Sequence, residues 1–155
     1  MKEMDYNTIS RVTETWETCR RRCANFEDEV GTKMLKKLFE LQPKTRTVFG
    51  FTKTEEPTVG DKHTSVHAHT VVSMFDSVLQ MLGPDTELLE DILKQVGKRH
   101  KDFGVSPSYF PYMGQAITYA LKETMSPGSF TEEHKDAWDE VYEELSSEIL
   151  KSMLL

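Results

Sequence analysis

Apolar residues recur at spacings of three and four along nearly the whole chain, and proline or glycine interrupts them at intervals, so the pattern calls for helices throughout. Asn7 or Thr8 is placed to cap a first helix carrying Ile9, Val12, Trp16 and Cys19. A second begins near Glu27, turns Val30, Met34, Leu35, Leu38 and Phe39 inward, and ends before Pro43. The stretch from Pro43 to Gly60 is irregular and long for a loop, which predicts short helical turns within it. A third helix spans about Lys62 to Leu82, with His67, Val71, Met74 and Val78 on one face. Gly83-Pro84-Asp85 stops it, and a fourth helix follows with Leu89, Leu93, Val96 and His100 in line. Ser106-Pro107 opens a fifth through Phe110, Met113, Ile117, Ala120 and Leu121, which Ser126-Pro127-Gly128 ends. Thr131 caps the last, whose stripe is Trp138, Val141, Leu145 and Ile149. The expected class is all-α, in one domain spanning 1–155, a length sufficient to bury a core and a ligand together.

A net charge of −7 argues against general binding to a phosphate backbone, so no nucleic-acid partner is expected. The one dense basic run, Arg20-Arg21-Arg22, reads as a solvated helix face. No apolar stretch reaches the roughly 20 residues needed to cross a bilayer, and the start carries no apolar signal region. The expectation is a cytoplasmic protein without a membrane partner. Cys19 and Cys23 stand four apart on the first helix, where side-chain vectors run nearly parallel. They are therefore read as free thiols unless the helix ends between them.

Two of the five histidines carry the chemistry. His67 continues the apolar stripe of the third helix, and His100 ends that of the fourth. The tight turn at Gly83-Pro84-Asp85 is expected to fold these helices back on each other, bringing both imidazoles to one central ligand. Imidazole suits a transition metal, haem iron included. Two other readings stay open at this point. Either histidine can be a hydrogen-bonded core residue, and His63 with His67 has a spacing that can hold zinc, though neither cysteines nor an H-E-x-x-H glutamate accompanies it.

Several segments, in order, resemble the globin family. Gly31 through Pro43, followed six residues later by Phe49, is similar to the second globin helix and its corner. His67 with Val71 is similar to the distal helix. Gly97-Lys98-Arg99-His100-Lys101-Asp102-Phe103-Gly104-Val105 resembles the proximal segment of neuroglobin-like members, as do Trp138 and Tyr142 in the last helix. The resemblance implies a globin fold with helices packed around one haem b (iron protoporphyrin IX). It implies His100 as the iron's fixed ligand, with its other N–H on the Val96 carbonyl. His67 would serve either as a hydrogen-bond donor to bound gas or as a second iron ligand. Leu35, Phe49 and Val71 would line the distal side, and Val96, Val105, Phe110 and Met113 the proximal and inner pocket. The sequence departs from the pattern at Arg99, where many globins place a hydroxyl, and at Thr70, where relatives often carry a base. Propionate pairing would then fall to Lys62 or Arg99, with His63 at the haem edge or in solvent.

Reversible binding of oxygen or another small diatomic ligand leads among the implied functions. A bis-histidyl redox or gas-sensing protein, with a reductase partner, comes second. Nitric oxide dioxygenase, nitrite reductase or peroxidase chemistry comes third, so the balance favours a binding protein over an enzyme. Dedicated dioxygenases of the flavohaemoglobin type carry a tyrosine and a glutamine where this chain has Leu35 and His67. Oligomeric state is not legible in the residues.

Overall fold

A computed structural model describes residues 1–155 and contains six α-helices and no strand. They are α1 (Tyr6–Arg22), α2 (Phe26–Leu41), α3 (Lys62–Leu79), α4 (Glu87–Asp102), α5 (Phe110–Thr124) and α6 (Glu132–Met153). Short 3₁₀ segments fill Pro43–Phe49 and Pro107–Tyr109, the first being the helical turns expected in the long connection. No helix is long and apolar enough to cross a membrane.

The ends follow local chemistry. Asp5, rather than Asn7 or Thr8, caps α1 by accepting the Asn7 N–H at 3.2 Å. Asn25 caps α2 and Asp61 caps α3. Thr131 opens α6, with His134 reaching back to the Thr131 N–H at 3.0 Å. α3 stops at Leu79, short of the expected Leu82, because its last carbonyls turn to tighter bonds: Met81 N donates to Val78 O and Leu82 N to Leu79 O. α1 ends at Arg22, between the two cysteines, and both thiols are free. Cys19 is buried, and burial pushes its thiol up to about 12.

Helix partners differ from the expectation in one respect. α3 packs on α2 and α4 packs on α6; they are not principal neighbours of each other. The short turn joins two helix ends without deciding which faces meet. Two glycines do decide it. A Cβ on Gly31 would stand 2.6 Å from the Ala68 Cβ of α3, and one on Gly97 would stand 2.5 Å from the Ile149 carbonyl of α6. At both crossings the backbones approach as only glycine allows. Each candidate histidine is thus carried by a helix with its own support, while α5 packs on α2 and also meets α6.

Most of the core is one cluster drawn from all six helices around Trp16 and Trp138, whose rings are 6.0 Å apart. Both indoles are satisfied: Trp138 donates to Thr15 Oγ1 and Trp16 to Asp76 Oδ1. A second, smaller cluster joins Leu35, Leu38, Phe39, Phe51, Ala68 and Ala116 beneath the connection that leads into α3.

Candidate functional site

His100 sits in the last turn of α4, half-buried, with its Nδ1 2.8 Å from the Val96 carbonyl. A carbonyl only accepts, so Nδ1 carries the proton, and in the neutral ring the lone pair lies on Nε2. That is the tautomer and orientation a metal-ligating imidazole requires. The ring of Phe110, at the start of α5, lies 5.4 Å from it. Val96 and Phe110 are buried, and Val105 and Met113 half-buried. Phe110, Met113 and Ala116 recur on one face of α5, so this helix runs from beneath His100 towards the Phe51 cluster.

His67 lies one turn into α3, also half-buried, and no protein group hydrogen-bonds either of its ring nitrogens. Three rings enclose it: Phe49 at 5.4 Å, His63 at 5.2 Å and Phe51 at 6.2 Å between centroids. α3 has two faces here. Thr64, Ala68 and Val72 are buried against α2, whereas His67, Val71 and Met74 form an adjoining stripe that is only half-buried. Leu35, by contrast, is wholly enclosed in the smaller cluster, and Phe49 is half-buried at its edge.

The sequence reading missed the role of His63. It lies neither loose in solvent nor free to bind zinc. Its Nδ1 is 2.7 Å from Glu55 Oε2 and its Nε2 3.0 Å from the Phe49 carbonyl, while its ring stacks on Phe51 at 4.1 Å and 15°. Both partners accept, so the protonated ring donates to each, and in that form it has no lone pair for a metal. Nor does any third His, Cys, Asp or Glu complete a metal-holding group there. His69 faces away, its Nε2 3.1 Å from Asp28 of α2, and Lys62 and Arg99 are exposed.

The electrostatics follow from this geometry. The bond to Glu55, aided by the Phe49 carbonyl, holds the His63 pKa above the ordinary imidazole value against a smaller effect of burial. Burial, and then the neighbouring charge of His63, holds that of His67 below it. The two neighbours therefore affect stability in opposite senses. The His63 contribution is fully present below the ordinary value and is lost as pH rises through its raised pKa. The His67 preference for the neutral ring is present above the ordinary value and is lost as pH falls through its lowered pKa. Imidazole NMR titration of the haem-free protein is expected to show His63 changing charge at higher pH than His67; the reverse order would contradict the bonding described.

An open cleft of about 720 Å³ lies beside this region, with Lys44, Arg46, Lys53, Phe51 and Tyr109 among its walls. It includes neither His67 nor His100. Arg46 is itself engaged, donating to the Glu55 carbonyl and to Glu56, both at 2.6 Å.

Comparison with known proteins bears on the same segments. The family model described as Globin matches residues 32–149. An anaerobic nitrite reductase of Gossypium hirsutum is 28% identical over 141 residues, 89% of this chain and 83% of that protein. Neuroglobin-2 of Oncorhynchus mykiss is 29% identical over 115 residues, 72% of this chain and 71% of that one. Among solved structures, a hexacoordinated haem protein from an anhydrobiotic tardigrade superposes with a TM-score of 0.83, covering 98% of this chain and 96% of that one at 22% identity. A hexa-coordinate haemoglobin of Drosophila melanogaster gives 0.81 at 22% identity, with 96% and 94% covered. At such identities the superpositions speak to the fold.

Proposed function

The chain belongs to the globin family, and from that premise we propose that it binds haem b through His100 and reversibly takes up oxygen or another small diatomic ligand. The observation that carries this reading is the Nδ1 bond of His100 to Val96, which fixes the ring and leaves Nε2 for the iron. Haem supplies the iron at which the gas binds. The chain's own residues do the rest. Val96 and Phe110 adjoin the proximal imidazole, and Val105 and Met113 would add to its apolar surroundings; Phe49 adjoins His67, with Val71 and Leu35 completing the proposed distal wall. Apolar walls exclude water, which slows oxidation of the iron.

His67 is neutral at ordinary pH, because burial and the charge of His63 both oppose its protonation. With no protein partner on either nitrogen, it can donate a hydrogen bond to a ligand or offer a lone pair. The second capacity supports an alternative reading, a bis-histidyl protein acting in redox exchange or gas sensing with a reductase as partner. The fold shared with two hexacoordinate haem proteins is compatible with it. The nitrite reductase relative keeps nitrite or nitric oxide chemistry as a third.

The visible spectrum separates these readings. In the purified protein, reduced with dithionite, a broad five-coordinate band is expected if His67 only donates to the bound gas. Sharp split bands that vanish in His67→Ala mean that His67 ligates the iron, and the redox or sensing reading then leads. Absence of any haem band after addition of hemin overturns the proposal. Turnover of nitrite with a physiological reductase would promote the enzymatic reading.

A further inference from the structure

We propose that His63, with Glu55 and the Phe49 carbonyl, forms a latch that positions His67 by holding residues 49–57 down on α3. The inference rests on the reading of His67 as the residue that faces the bound ligand.

The connection after the 3₁₀ segment is tied at three points. Arg46 holds its far side through the Glu55 carbonyl and Glu56. Glu55 then reaches across to His63 Nδ1, and His63 Nε2 returns to the Phe49 carbonyl. These bonds close a circuit from residue 46 through 55 and 63 to 49. Phe51 is pinned inside it, with the His63 ring stacked on one side and Phe39 5.1 Å away. A charged imidazole over a phenyl face adds attraction to the stacking.

Three of the circuit's rings, Phe49, Phe51 and His63, are the three that enclose His67. Since His67 has no hydrogen bond of its own to fix its ring, its orientation depends on these contacts. The half-buried ring moves past Phe49 and Phe51 as it swings across their side, and that movement is restrained while Glu55 and the Phe49 carbonyl hold His63. Phe51 and His63 act through His67, whose ring they contact. The latch therefore sets how quickly His67 clears the path of an incoming ligand, without determining whether haem is held.

The test uses haem-loaded protein with carbon monoxide as the probe, in His63→Phe and Glu55→Ala. The first keeps a ring to stack on Phe51 and removes both hydrogen bonds; the second removes one acceptor from the other side. Each is expected to speed carbon monoxide uptake by the ferrous protein about tenfold, the scale of one lost charge-assisted hydrogen bond. The double variant should be no faster than the faster single, since both break one circuit. Hydrogen exchange of amides 50–61 should quicken in parallel, while the haem spectrum with carbon monoxide bound stays that of the parent. Uptake within twofold of the parent, in variants whose exchange shows residues 50–61 loosened, overturns the proposal. Unchanged exchange in both variants overturns it equally, because the circuit would then hold nothing down. A chain that takes up no haem refutes the reading beneath the proposal, and is told apart by its spectrum before any kinetics are run.

Discussion

His100→Ala is expected to lose haem: the Soret band of the loaded protein should fall away on gel filtration, with affinity reduced by more than about a hundredfold. Changes to the groups that merely orient a metal ligand cost about 10–100-fold in affinity, and removing the ligand itself exceeds that. The folded chain should tolerate the change. His100 is half-buried, and its one hydrogen bond is to the Val96 carbonyl a turn back. Its removal leaves no buried charge and opens no cavity in the main cluster, so haem-free stability should shift by no more than about 1 kcal/mol. Added imidazole gives a second readout. A free ring can enter the space left by the side chain, and a restored band would identify the lost group as a ligand rather than a packing element. Retention of haem at parental affinity by His100→Ala would remove the basis of the proposed function.

The sequence made the helices legible because their stops are local. Ser106-Pro107, Ser126-Pro127-Gly128 and the Thr131 cap each act within a few residues, and all lie where the structure changes course. The His100 bond to Val96 was legible for the same reason, being one turn long. What failed was the inference from sequence neighbourhood to spatial neighbourhood. α3 and α4 are joined by a tight turn, yet each answers to a glycine crossing with another helix, Gly31 against Ala68 and Gly97 against Ile149. Apolar periodicity also picked out only one of the two faces of α3. Spacing alone does not distinguish a stripe covered by protein, such as Thr64, Ala68 and Val72, from a half-buried one beside it, such as His67, Val71 and Met74. His63 was misplaced because its partners, Glu55 and Phe49, lie 8 and 14 residues away in an irregular segment with no period to read.

Gly97→Ala is expected to be among the most damaging single-methyl changes in the protein. The added Cβ would stand 2.5 Å from the Ile149 carbonyl and 2.6 Å from Ser152 Cβ, and the first of these is backbone, which has no rotamer to retreat into. α4 must move off α6. Overpacking of this kind costs about 1–3 kcal/mol, and the better helix propensity of alanine returns about 1 kcal/mol, leaving a net loss of up to about 2 kcal/mol. For a chain of this size that corresponds to a fall in melting temperature of up to about 8 °C, read by circular dichroism of the haem-free protein. Gly83→Ala is the control, since nothing lies within 4 Å of its added Cβ and its φ is not positive; it should melt within about 2 °C of the parent. The displacement also reaches the site, because Gly97 is less than one turn from His100 on the same helix. Haem retention should therefore weaken along with stability in Gly97→Ala. Gly31→Ala meets Ala68 at 2.6 Å and should disturb the His67 side instead, changing ligand uptake more than haem retention. If the two variants affected retention and uptake alike, the histidines would not be governed by separate crossings. A clean division would show that the two crossings, which let α3 and α4 settle on different partners, also make the two sides of the site independently adjustable.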